Sequence, residues 1–141
     1  MFAFIKAFVA GLIAIVVFNQ GALWLIDRAG FAQVATWSTQ GLMHTDVPVI
    51  AWQALWGGLW GLVIWLLIRR AEAAGYYVGA IILGAVLLTG VALAVTPWLG
   101  MALFGVLLVG YSMNAIGIAL AANAAYGLGF ALLMRLFHPP R

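Results

Sequence analysis

Long apolar stretches, each about the length needed to cross a bilayer, dominate the pattern of this chain. Four of them are separated by shorter polar or charged positions: Phe4–Leu25, Pro48–Ile68, Tyr76–Val95 and Met113–Leu136. A helix needs about 20 apolar residues to cross the hydrocarbon core, so each stretch predicts one transmembrane helix. The expected fold class is all-α: a polytopic membrane protein whose four transmembrane helices form a single domain over residues 1–141.

A further apolar piece, Gly100–Gly110, lies between the third and fourth spans. As a helix its roughly 10 residues would extend only ~15 Å, which is too short to cross the membrane. We therefore expect an interfacial or re-entrant half-helix at about 100–110, with a break near Gly110-Tyr111-Ser112. One long tilted helix is the alternative.

The composition leads to the same class. The chain is 67% hydrophobic and only 6% charged, and its mean hydropathy is +1.18. Soluble domains are about half apolar and about a quarter charged, so three acids and six bases could not cover a water-facing surface. The absence of Cys excludes a disulfide framework, thiolate metal ligands and a redox thiol. No basic patch with interleaved aromatics lies outside the spans, so no nucleic-acid partner is expected.

The charged residues predict the orientation. With a cytoplasmic N-terminus, only Arg28 falls outside, and five cationic residues fall inside: Lys6, Arg69, Arg70, Arg135 and Arg141. This positive-inside bias predicts a multi-pass protein of the bacterial inner membrane with both termini in the cytoplasm. The long outer loops would be Ile26–Val47 and Thr96–Ser112. Phe2–Phe18 has the Lys and apolar core of a signal peptide, but no Ala-x-Ala pattern follows, so we expect a retained first span.

The two halves of the chain align in part. Trp60–Arg69 matches Tyr126–Arg135 at an offset of 66, and Phe4–Gly11 matches Tyr77–Gly84, less well, at an offset of 73. A two-helix tandem repeat over 1–70 and 76–136 would place both copies in the same orientation. Chance similarity between apolar helices is the alternative interpretation.

Small residues recur at helical spacing in two spans. Gly57 and Gly61 form a GxxxG pair in the second span. In the last span, small residues and one Asn recur every four positions, which places them on one helix face: Ala115, Ala119, Asn123, Gly127 and Ala131. Contact inside the bundle is the favoured interpretation of any single strip. A chain this small offers few internal contacts, however, so we expect at least one strip to face another subunit.

Polar side chains inside spans are the default places for function. They are Asn19, Gln20, Gln53, Thr89, Asn114 and Asn123. Asn19, Gln20 and Gln53 should lie at a similar outer depth. Adjacent residues point about 100° apart on a helix, so one of Asn19 and Gln20 could reach Gln53. Hydrogen bonding between helices is the favoured interpretation, and a polar vestibule for a neutral solute is the alternative.

The remaining residues give little support for catalysis or metal binding. The three carboxylates, Asp27, Asp46 and Glu72, lie in flanks, which argues against a proton-coupled transporter. His44 is expected outside and His138 inside, so one copy cannot bring them together on a metal or haem. No Ser is expected beside a His and a carboxylate in a dry pocket. We expect neither an enzyme nor a ligated cofactor.

A ridge of aromatic residues could contact a bound molecule that needs no ligating group. Trp52, Trp56 and Trp60 are spaced by four on the second span. A membrane anchor is the favoured interpretation, and contact with lipid, quinone or carotenoid, which needs no ligating group, is the alternative.

Two motifs carry a resemblance to a known family. Phe18-Asn-Gln-Gly21 and Ala54-Leu-Trp-Gly-Gly-Leu-Trp-Gly61 resemble a family of small uncharacterised four-span bacterial inner-membrane proteins. The likeness extends to Pro48 at the start of the second span and to Ala125-Tyr-Gly-Leu-Gly129. Members of this family often have His where this chain has Asn19, so the one titratable group of the first span is missing here. The resemblance implies a four-span fold and no catalytic residue.

Two functions are compatible with these features. The first is a non-catalytic accessory or structural subunit of a larger respiratory or photosynthetic membrane complex, packed against other integral membrane subunits. The alternative is a small oligomeric pore or facilitator for a neutral solute, built from the amide side chains and the 100–112 segment.

Overall fold

The computed structural model describes residues 2–41, 45–99 and 112–139, with the backbone alone at 95–99. Within these ranges the chain forms four helices that are each long and apolar enough to cross a membrane. The predicted all-α, four-span fold is therefore confirmed. The expected half-helix at 100–110 and His44 lie outside the described residues.

Helix α1 covers Phe2–Arg28 and contains a π-helical turn at Ile15–Asn19. Helix α2 covers Val49–Ile68. Helix α3 is formed by α-helical Ala73–Leu83, a π-helical turn at Gly84–Leu88 and α-helical Thr89–Leu99. Helix α4 covers Met113–Phe137. Helices α1 and α3 extend past both predicted ends, because hydropathy marks where apolar residues stop and the backbone continues as helix into the flanks.

The connection between α1 and α2 caps the second helix with its own backbone. Pro48 precedes α2 in an extended conformation. The first backbone N–H groups of α2 find acceptors in the connection: Val49 N–H donates to Gln40 O at 2.9 Å, and Ile50 N–H donates to Ser38 O at 3.1 Å. These bonds satisfy helix-terminal donors that have no partner within the helix, and they hold residues 38–40 against the bundle.

Close backbone contacts join the helices into two hairpins. In the first, Gly11 of α1 lies against Gly57 and Gly61 of α2, and a Cβ on Gly11 would come within 3.0 Å of the Gly61 Cα. In the second, a Cβ on Gly84 of α3 would lie 2.9 Å from the Gly127 Cα of α4. Small residues permit this approach of helix backbones in a membrane, so a larger side chain at any of these positions would push the hairpin apart.

Helices α1 and α4 contact each other and join the two hairpins. The core at this junction contains Ala7, Ala10 and Ala14 of α1 together with Tyr126 and Phe130 of α4, all fully buried. Three Ala side chains on α1 thus make room for two large aromatic rings of α4.

The two hairpin contacts correspond residue by residue. The carbonyl oxygen of Ala7 faces Gly61 in the first hairpin, and that of Ala80 faces Gly127 in the second. Ala7 and Ala80 differ by 73 in number, and Gly61 and Gly127 by 66, which are the offsets of the two aligned stretches. The tandem repeat over 1–70 and 76–136 stays a prediction, and it now has matched contacts in its favour.

Candidate functional site

Buried polar side chains from all four helices meet inside the bundle. We call them the amide chain: Asn19 and Gln20 of α1, Gln53 of α2, Thr89 of α3 and Asn123 of α4. Each is between 0% and 6% exposed. Polar groups at membrane depth are costly unless they are paired, so their concentration in one place identifies the candidate site.

Hydrogen bonds connect these side chains in an unbroken series. Asn123 Nδ2 donates to Thr89 Oγ1 at 3.0 Å, and Asn123 Oδ1 accepts from Asn19 Nδ2 at 3.0 Å. Gln20 Nε2 donates to Asn19 Oδ1 at 3.3 Å and to Gln53 Oε1 at 3.1 Å. Asn123 thus ties α3 to the centre through Thr89, and Gln20 ties α2 to it through Gln53.

The neighbouring positions Asn19 and Gln20 serve different helices. Asn19 bonds to Asn123 of α4, and Gln20 bonds to Gln53 of α2. This division follows from the angle of about 100° between adjacent residues on a helix, since α1 lies between α2 and α4. Gln20 is thus the residue that reaches Gln53, while the Nδ2 group of Asn19 faces α4.

The connection after α1 folds back onto the amide chain through Trp37. Its backbone N–H donates to Gln20 Oε1 at 2.8 Å, and its indole Nε1 donates to Val16 O at 2.8 Å. Trp37 has a positive φ of 47°, a conformation that costs energy for a residue other than Gly. Two short hydrogen bonds hold it there, so this loop covers the amide chain at Gln20.

Both π-helical turns adjoin the amide chain. The turn Ile15–Asn19 ends at Asn19 and contains the carbonyl that accepts from Trp37, and the turn Gly84–Leu88 ends directly before Thr89. Such turns occur frequently at functional sites. Neither turn was predicted, because an apolar helical sequence has no residue pattern that marks a change from i+4 to i+5 pairing.

The amide chain is chemically neutral. Its amides and hydroxyl can donate and accept hydrogen bonds, but they neither carry charge nor transfer protons at ordinary pH. A further buried hydroxyl, that of Tyr126, donates to Gly57 O at 2.6 Å and links α4 to α2. The arrangement can therefore hold helices together or exchange hydrogen bonds with a neutral molecule.

The structure places most of the predicted strip residues inside the bundle. Asn114 is exposed at the start of α4 and is not part of the amide chain, and Ala115 is half-buried. The other strip residues are buried: Gly57, Gly61, Ala119, Asn123, Gly127 and Ala131. The strips thus contact helices of the same chain.

A different set of small residues is exposed. Gly90 of α3, together with Gly117 and Ala121 of α4, lies on the outside of the second hairpin. A Cβ on Gly90 or Gly117 would meet no described atom within 4 Å. We call these three residues the small-residue band. The band could not be predicted from the sequence, because residue spacing identifies a helix face without indicating which side of the bundle that face occupies.

The remaining residues that the sequence singled out are the Trp ridge of α2 and the His residues. Trp52 and Trp60 are half-buried, and neither indole Nε1 has a hydrogen-bond partner among the described residues. His138 directly follows α4 at the end of the bundle that carries the α2–α3 turn. Within residues 2–41, 45–99 and 112–139, no three His, Asp or Glu side chains come close enough to hold a metal ion.

Protein-family models, curated proteins and solved structures contain no match to this chain. The fold and composition therefore define it as a four-span helical membrane protein.

Proposed function

We propose that this protein is a non-catalytic subunit that packs through the small-residue band against another integral membrane protein of a larger complex. The observation that carries the proposal is the exposure of Gly90, Gly117 and Ala121, two of which lie at the level of the amide chain. Thr89 and Asn123 are hydrogen-bonded to each other, so their near neighbours Gly90 and Ala121 lie at the same depth.

Exposed glycines have no side chain to pack against lipid. Association of helices in a membrane depends on close packing, and small residues favour it by letting backbones approach. Elsewhere the bundle surface carries bulky side chains, including Leu55, Leu59 and Val63 on α2, which suit contact with acyl chains. The small-residue band differs from that surface in the way expected of a helix-packing site.

The interior supports the same proposal. The amide chain is hydrogen-bonded within the subunit, and the strips Gly57–Gly61 and 115–131 contact its own helices. A satisfied polar network makes a bundle rigid and specifies one packing arrangement. Such a bundle can present a preformed surface to a partner.

Cysteine crosslinking tests the proposal directly, because the chain has no Cys of its own. Gly117→Cys places a thiol in the small-residue band, and Leu132→Cys, at a position that is 44% exposed on the same helix, is the matched control. A maleimide that carries a photoreactive benzophenone, attached in native membranes and then illuminated, should join G117C, but not L132C, to a protein of different sequence, because the excited ketone inserts into a C–H bond of the neighbouring chain. Equal products from both positions, or none from G117C, would contradict the proposal.

A second function is favoured by the amide chain itself. Neutral hydrogen-bonding groups contributed by four helices, covered at one end by Trp37, are suited to a small facilitator for a neutral solute. Purified homo-oligomer in proteoliposomes should then pass glycerol or urea faster than empty liposomes, and Gln20→Leu should change the rate. A homo-oligomer with no flux above the lipid background would exclude this function.

A further inference from the structure

A charged pocket lies at the opposite end of the bundle from Trp37. It has a volume of about 1140 Å³ and opens where the α2–α3 turn meets the end of α4. We call it the basic pocket. Its lining contains Trp65, Tyr76 and Tyr77 as aromatic walls, and its ionisable side chains are Arg69, Arg70, Arg135, His138 and Glu72.

The pocket has an excess of cationic groups that no described carboxylate neutralises. Three Arg face one carboxylate, that of Glu72, and no ion pair within 4 Å joins any of them among the described residues. None of the three guanidinium groups donates a hydrogen bond to a described residue either. Arg69 and Arg70 are exposed, whereas Arg135 is half-buried. A half-buried Arg seldom lacks both kinds of partner, so the pocket has the charge expected of an anion site.

Aromatic rings hold two of these Arg side chains in place. The Arg135 guanidinium carbon lies 4.2 Å from the centroid of the Tyr76 ring, and that of Arg69 lies 5.6 Å from the Trp65 ring. Arg135 is half-buried, and its Nε is buried without a hydrogen-bond partner in the described part of the chain. Stacking on a ring fixes the plane of a guanidinium while leaving its N–H groups able to bind an acceptor.

We propose that the basic pocket binds the phosphate group of a molecule with net negative charge. A phosphate presents several oxygens that match the planar fork of Arg, and two or three Arg can share one phosphate. The surroundings favour a lipid as its source, because the exposed side chains of Leu66, Leu67 and Leu136 lie on the same helix ends. Basic pockets between transmembrane helices bind anionic lipid headgroups elsewhere. A soluble phosphate would be bound by the same chemistry.

Lipid titration of the purified protein distinguishes these sources. Native mass spectrometry in a neutral detergent would measure binding of phosphatidylglycerol, of phosphatidylcholine and of inorganic phosphate. The variants are Arg135→Gln and the exposed Arg70→Gln, which keeps the proposal testable should R135Q misfold. Arg28→Gln is the matched control, because Arg28 also stacks on a ring, that of Trp24 at 5.3 Å, at the other end of the bundle.

Phosphatidylglycerol should bind more tightly than phosphatidylcholine, and each pocket variant should weaken its binding about fivefold, whereas R28Q should not. Competition by inorganic phosphate would mean that a soluble phosphate also occupies the pocket. Its failure to compete would assign the site to lipid. Equal binding of both lipids, or equal weakening in R28Q and R70Q, would overturn the proposal.

Discussion

Replacement of Asn123 by Ala tests whether the amide chain stabilises the bundle. Asn123→Ala removes two hydrogen bonds, the 3.0 Å bonds to Asn19 and to Thr89. Hydrogen bonds between helices in a membrane average about 0.6 kcal/mol and reach about 1.7 kcal/mol. The Asn19 Nδ2 group would also lose its acceptor at a fully buried position, which costs about 1–3 kcal/mol. Together these losses predict that the free energy of unfolding falls by about 2–4 kcal/mol.

Equilibrium unfolding by dodecyl sulfate in mixed micelles, followed by circular dichroism, measures this change. Asn114→Ala is the matched control: Asn114 lies on the same helix but is exposed and makes no hydrogen bond to a described residue. Its replacement should leave the midpoint unchanged within about 0.5 kcal/mol.

A double-mutant cycle between Asn123→Ala and Thr89→Val isolates the bond between these two residues. We expect a coupling of about 0.6 kcal/mol. If N123A lowers the free energy of unfolding no more than N114A does, or if the cycle shows no coupling, the hydrogen bonds of the amide chain do not stabilise the fold.

Three further results are expected. Gly61→Ala should destabilise the bundle by about 1–3 kcal/mol, because its Cβ would lie 2.6 Å from Ala7 O. In the same thermal unfolding assay, Gly90→Ala should be neutral or stabilising, because its Cβ would meet no described atom within 4 Å. Gln20→Leu removes the acceptor of the Trp37 N–H, so hydrogen exchange of residues 31–41 should become faster while that of α4 does not; unchanged protection would show that the loop is held by other contacts. A Cys introduced at Ser38 should react with an impermeant maleimide in intact cells, and one at Glu72 only after permeabilisation; the reverse pattern would refute the predicted orientation.

The spans were predictable because burial in a bilayer demands long apolar segments. Hydropathy alone located all four helices. It also singled out the members of the amide chain, since a polar residue stands out in such a background. That Gln20 or Asn19 would reach Gln53 followed from their common depth. These conclusions need only the length and spacing of residues along single helices.

The partners of the remaining polar groups required knowledge of which helices are neighbours. Asn19 bonds to Asn123, which is 104 positions away, and apolar helices of similar composition offer no signal that α1 lies beside α4. The contact between Trp37 and Gln20 could not be predicted for another reason: a loop of that length can reach many places on the bundle. The convergence of Arg70 and Arg135 on one pocket likewise depends on how the α2–α3 turn meets the end of α4.

The contact between hairpins has a consequence for how the protein is made. Each hairpin closes through its own glycine contact, so the first can assemble while the second is still being synthesised. Gln53 is synthesised 33 residues after Gln20. Asn19 has to wait longer, because its partner Asn123 is synthesised 104 residues later. At synthesis rates of about 5–20 residues per second, that wait lasts on the order of 5–20 s. Throughout it, Gln20 can already donate to the Asn19 oxygen, as it does in the complete bundle, so only the Asn19 Nδ2 group has to wait for its final acceptor on Asn123.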